Sequence, residues 1–175
     1  TINKLAYSSS GHVYAVGVIR SGVSGYSFVY PGNFHFIIPQ NRIQVIKFDS
    51  SGNTIWVKIF GSATNDTGIG ISADGFGDIY FTGIFGSNTI LFDSILLTNS
   101  NVFTDGYIAK LDSSGNAIWA YRSYSNISDY TQSVEANDTF AIYFSGMYRD
   151  DTMYYRNHIF LPLNNVVNYN YILKF

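Results

Sequence analysis

Lys110-Leu111-Asp112-Ser113-Ser114-Gly115-Asn116-Ala117-Ile118-Trp119 decides the fold, because it restates Lys47-Phe48-Asp49-Ser50-Ser51-Gly52-Asn53-Thr54-Ile55-Trp56 after an interval of 63 residues. A second phrase keeps time with it. Val13-Tyr14-Ala15-Val16-Gly17, Ile79-Tyr80-Phe81-Thr82-Gly83 and Ile142-Tyr143-Phe144-Ser145-Gly146 are spaced by 66 and then 63 residues. Tyr171-Ile172-Leu173-Lys174-Phe175 repeats Tyr107-Ile108-Ala109-Lys110-Leu111 one period later. A fixed period of this length means one supersecondary unit copied along the chain, each copy unable to bury its apolar face alone.

The middle unit reads through from end to end. Ile69-Gly70-Ile71-Ser72-Ala73 alternates large and small residues, as a strand does where sheets approach closely. Asp74-Gly75-Phe76-Gly77-Asp78 reads as a turn, and the β-branched and aromatic run Ile79-Tyr80-Phe81-Thr82-Gly83-Ile84-Phe85 as a strand. Ile90-Leu91-Phe92 and Ile95-Leu96-Leu97, split by Asp93-Ser94, form a short hairpin-like excursion. Two further strands flank the Asp112–Asn116 turn, so each unit has four main antiparallel strands. No segment carries a helical apolar period with a cap at its start and Gly at its end. The expected class is all-β, and four-stranded antiparallel units at this period are the sequence form of β-propeller blades. Three blades are expected, at residues 1–61, 62–124 and 125–175, the last lacking its outer strand. Three wedges leave an open arc, a partial or oligomer-completed propeller. Its partners would be other copies or the remaining blades of a longer propeller, the second preferred because the chain stops inside a unit.

The phrases Gly77-Asp78-Ile79-Tyr80-Phe81-Thr82-Gly83 and Asp105-Gly106-Tyr107-Ile108-Ala109-Lys110-Leu111-Asp112-Ser113-Ser114-Gly115-Asn116-Ala117-Ile118-Trp119 resemble the beta-propeller repeat known as SBBP. That resemblance covers nearly the whole chain. It implies a secreted or surface protein of bacteria or archaea, or a component of a large virus, and attributes no catalytic residue to the repeat. The first unit departs from it at Tyr7-Ser8-Ser9-Ser10, and the third at Asn137-Asp138-Thr139-Phe140, both lacking an acid where the middle unit has Asp74.

Composition narrows the functional classes. In 175 residues, 46% are hydrophobic, 18% aromatic and 13% charged, about half the usual charged share. With a net charge of −2 and no basic run, a nucleic-acid partner is not expected. Apolar runs such as Phe34-His35-Phe36-Ile37-Ile38 fall far short of the ~20 residues of a membrane span, so membrane insertion is not expected either. Without cysteine there is neither a disulfide framework nor a thiolate metal site. Three sequons, at Asn65, Asn126 and Asn137, agree with an outside location.

No catalytic, cofactor or metal residues are expected. The Asp112 and Asp49 turns lack the terminal Glu of a calcium loop and read as self-capped hairpin turns, with Gly52 and Gly115 left-handed. Lys47, Lys110 and Lys174 read as stems along the blade with ammonium groups near Asp49 or Asp112, and Trp56 and Trp119 as packing pieces. His12, His35 and His158 occupy unrelated phases of the repeat. Tyr148, Arg149, Tyr154, Tyr155 and Arg156, beside Asp150 and Asp151, depart most from the repeat. They form the candidate partner-contact hairpin, with an elaborated edge hairpin as the plainer reading. The expected function is a non-catalytic extracellular or cell-surface scaffold presenting loops to protein or glycan. One alternative is a structural component of a virion or surface filament. Another is a polysaccharide hydrolase or lyase using loop acids such as Asp66 and Asp129.

Overall fold

Runs rich in Val, Ile, Tyr and Phe, interrupted by Gly-containing turns, pair here into antiparallel ladders. The computed structural model describes residues 1–20, 27–30, 34–37, 41–62, 66–99, 102–137, 141–149, 152–162 and 168–175. Asp150, Asp151, Asn65, the Asp138–Phe140 part of the third-unit departure and the His35 side chain lie outside what is described. Regular structure among the described residues is entirely β. In the first unit the strands are β1 (Ile2–Tyr7), β2 (Val13–Ile19), β3 (Ser27–Tyr30), β4 (Phe34–Ile37), β5 (Arg42–Phe48) and β6 (Thr54–Phe60). In the second they are β7 (Thr67–Ala73), β8 (Ile79–Phe85), β9 (Thr89–Phe92), β10 (Ile95–Thr98), β11 (Asp105–Leu111) and β12 (Ala117–Tyr124). The third holds β13 (Tyr130–Ala136), β14 (Ile142–Arg149), β15 (Met153–Tyr155), β16 (His158–Phe160) and β17 (Asn168–Lys174).

The first sheet runs β1-β2-β5-β6, the second β7-β8-β11-β12 continued by β15-β16, and the third β13-β14-β17, while β3-β4 and β9-β10 are two-stranded ladders. Among the described residues no sheet closes on itself. The first strand of each main sheet carries a bulge at the same place, between Ile2 and Lys4, Gly68 and Gly70, and Thr131 and Ser133. Here lies the reason for the repeated glycine of the second phrase. A Cβ at Gly17, Gly83 or Gly146 would collide with the carbonyl oxygen of Thr1, Thr67 or Tyr130, which the bulge turns against it. The same oxygen accepts a hydrogen bond in every unit, from Gln44 Nε2 at 2.9 Å, Tyr107 Oη at 3.2 Å and Tyr171 Oη at 3.2 Å.

The sheets stack front to back. Tyr14, Val16, Ile43 and Val45 of the first sheet share a core with Ile71, Phe81, Tyr107 and Ala109 of the second, and Ile90 and Phe92 of β9 enter it. Tyr80 and Ile108 of the second sheet share another with Val134, Phe144, Tyr171 and Leu173 of the third, entered by Met153 and Tyr155 of β15. Because its faces are covered on both sides, β8 and β11 are buried almost without interruption, as in a doubly covered sheet. By contrast β17 alternates buried and exposed residues along its length, the pattern of a sheet with one open face.

Candidate functional site

The repeated polar turns are built as self-contained caps. Asp112 Oδ1 accepts from Ser114 N at 2.9 Å and Asn116 N at 2.8 Å, and Asp49 Oδ1 does the same for Ser51 and Asn53. Hydrogen bonds from the Asn53 side chain and backbone hold the Asp49 carboxyl below its ordinary pKa. Gly52 and Gly115 are left-handed, at φ 85° and 84°. In the other turn, Asp74 Oδ1 takes Asp78 N at 3.0 Å, and Ser8 Oγ and Asn137 Oδ1 take the N–H four residues on at 3.2 and 3.0 Å. The acid missing from the first and third units is therefore replaced by other caps of the same geometry. These oxygens are spent on backbone.

Lys47 is nearly buried, with Nζ donating to the Ser113 carbonyl at 3.1 Å, and Lys110 Nζ pairs with Asp78 at 2.7 Å. Neither ammonium sits on Asp49 or Asp112 as the sequence suggested. Each Lys instead faces a Tyr directly across the ladder, at 5.5 Å for Lys47 over Tyr14, 5.1 Å for Lys110 over Tyr80 and 5.6 Å for Lys174 over Tyr143. Trp56 and Trp119 pack on those same tyrosines at 6.3 and 6.1 Å.

The five residues of the candidate hairpin are divided by the structure. Tyr148 and Tyr155 are core residues, with Tyr155 wholly buried against Phe144 at 4.8 Å, so neither is a surface anchor. Arg156 is exposed, but its guanidinium lies over Tyr121 and Phe175 at 4.3 and 5.0 Å. Arg149 and Tyr154 face solvent. The hairpin also keeps the repeat more closely than its residue types suggest. Ile90, Phe92 and Asp93 recur 63 residues on as Met153, Tyr155 and Arg156, with the first two buried in each case and the third at φ 50° in each. Its role is a clasp on the preceding unit: β15 pairs with the end of β12, as Leu91 O takes Gly61 N at the end of the first sheet, 3.5 Å away.

Asp66 and Asp129, the loop acids of the enzymatic alternative, are also 63 residues apart, and both are completely buried. Asp66 accepts from Ser62 N at 2.8 Å and Ser87 Oγ at 2.9 Å; Asp129 accepts from Gly106 N at 2.8 Å and from the Ser123 hydroxyl. They staple the junctions between units. Beside Asp129 lies an ion pair the sequence did not signal, because the repeat has Arg42 and Tyr169 where the second unit has Asp105. Arg122 Nη1 reaches the buried Asp105 at 2.6 Å. Burial, then the charge of Asp129, pushes the Asp105 carboxyl up to about 7, and burial pushes Asp129 up to about 6. Asp105 Oδ1 and Asp129 Oδ2 have no hydrogen-bond partner. The arrangement can retain a proton near neutrality, and both carboxyls are buried. Among the described residues, no three His, Cys, Asp or Glu side chains gather as a metal site would require.

The two ends of the stack each offer an open surface. One carries a shallow depression lined by Ser133, Glu135, Tyr143, Phe144, Ser145 and Ile172, the other a depression along Ile2, Asn3, Lys4 and Leu5 of β1. No protein-family model matches this chain, and no curated protein matches it.

Proposed function

We propose that the chain is a run of β-propeller blades acting as a non-catalytic scaffold at an extracellular or cell surface, its loops meeting protein or glycan. The observation that carries this reading is where the repeated residues go. The bulge glycines, the Tyr–Lys pairs, the turn aspartates and the junction acids all serve stacking or turn closure, leaving end faces and loops for contact. Antiparallel sheets in sequence order, stacked through equivalent positions with β7 against β1 and β13, support the bladed geometry. Binding of the purified protein to arrays of surface glycans and to intact source cells, together with release of reducing ends from mixed polysaccharides, tests it. Retention on cells or glycans without release is the expected result. Release by wild type that is lost in Asp66→Asn or Asp129→Asn would overturn it. The virion or filament reading draws support from the open front of the third sheet and the open β1 at the other end, which suit serial assembly.

A further inference from the structure

All three main sheets carry the same positions on their front face, and two of those faces are covered. Tyr14, Val45 and Lys47 of the first sheet, and Tyr80, Ile108 and Lys110 of the second, are matched in the third by Tyr143, Ile172 and Lys174. Val45 and Ile108 are completely buried, whereas Ile172 is 75% exposed. Tyr14 and Tyr80 are buried, whereas Tyr143 is 43% exposed. The back faces mirror this. Ile71 of β7 and Val134 of β13 are buried between sheets, but Leu5, at the same ladder position in β1, is 58% exposed. The turns agree: Gly115 lies under Lys58 and Trp56 of the first sheet, while Gly52 has open space around it. One front and, on the opposite end, the β1 part of one back remain uncovered, at the positions that already meet twice within the chain; farther along that back, Ala15, Ile46 and Val57 are buried.

We propose that the chain associates head to tail with a second copy of itself. The front of the third sheet, at Tyr143, Ile172 and Lys174, receives the back of the first sheet of the next copy, at Leu5 and Tyr7, together with its Asp49–Asn53 turn. Lys174 then donates to the Ser50 carbonyl as Lys47 donates to the Ser113 carbonyl within the chain. The occupant is identified by continuity, since β1 would take the place that β7 has in the interface between the first and second sheets, and the Asp49 carboxylate complements the Lys174 ammonium. Such a contact is heterologous: it closes a ring if its rotation allows and otherwise grows a filament. The proposal rests on the stacked-blade reading above.

The chain contains no cysteine, so single introduced thiols report the contact cleanly. Lys174→Cys and Ser50→Cys variants, mixed and mildly oxidised, should yield a cross-linked dimer that neither yields alone. Ile172→Glu should shift the sedimenting species to monomer with its circular dichroism unchanged. A wild-type chain that sediments as monomer at every concentration tested would overturn the proposal and make a further unit of the same polypeptide the occupant of this face. Efficient cross-linking of Ile172→Cys by itself would also overturn it, since that outcome means front-to-front pairing. In either case, slow amide exchange in β8 and β11 against faster exchange in β1 and β17 would show that the stacked-blade reading survives. Its absence would mean that the stacked reading itself has failed.

Discussion

Gly83 shows how a single position carries the repeat. Its missing Cβ makes room for the Thr67 carbonyl, which Tyr107 then caps from inside the core. A backbone oxygen cannot step aside, so Gly83→Ala should cost about 3 kcal/mol in urea unfolding. Tyr107→Phe, which removes only the donor, should cost about 1 kcal/mol. A reversal of that order would refute the steric account. The buried acids make a pH prediction of definite sign. Asp105 and Asp129 have carboxyl pKa values raised by burial, so the stability they contribute is complete below about pH 4, the unfolded carboxylate value, and is lost as pH rises through about 6 to 7. The Arg122 guanidinium beside Asp105 offsets one of the two charges. Melting should therefore occur at higher temperature at pH 5 than at pH 8. Asp129→Asn, which retains an oxygen for Gly106 N and Ser123, should shrink the stability difference between those two pH values by about 1.4 kcal/mol, the one pKa unit from pH 5 to about 6. An unchanged difference would show that these acids do not titrate in this range.

At the scale of the element, the β15–β16 hairpin separates residue type from residue position. Tyr, Arg and Asn replace Phe, Asp and Ser, and by type the segment looks like a partner-binding insertion. Strand alternation nevertheless sends Met153 and Tyr155 inward, as it sends Ile90 and Phe92 inward, and the two-residue turn is unchanged. Tyr155→Ala should accordingly cost about 3–5 kcal/mol in equilibrium unfolding, while Tyr154→Ala should change it by no more than about 0.5 kcal/mol. Equal effects would return the hairpin to the surface role that its composition suggested. The spacing of apolar positions was the available signal, and side-chain chemistry obscured it.

The whole molecule is a stack whose middle sheet is protected on both faces, while at its ends β1 and β17 each keep one side open. Hydrogen exchange should follow that order. Amides of β8 and β11 should open only with global unfolding, and those of β1 and β17 through smaller local openings that cost less free energy. Uniform protection across the three sheets would contradict a stack held together by two separate cores. The same arrangement leaves Leu5 and Ile172 exposed at its two ends, and the proposed assembly is decided there.

Period, strand order and turn chemistry were legible from sequence because they are local: alternation, β-branching, and Asp and Gly at fixed offsets dictate ladders and caps within a few residues of themselves. The left-handed Gly52 and Gly115 and the Asp93-Ser94 hairpin are of this kind. Other features depend on residues brought together from different units, and only the tertiary structure could decide them. The Asp105–Arg122–Asp129 cluster is built where the repeat is broken. The lysines find a carbonyl of the next unit or an acid of their own, and which copy of an identical Tyr–Lys pair stays uncovered is set by the order of stacking. A repeat writes the same residues into every unit, so sequence cannot distinguish a covered face from an open one; neighbouring sheets do that by removing one face from water and leaving its equivalent exposed.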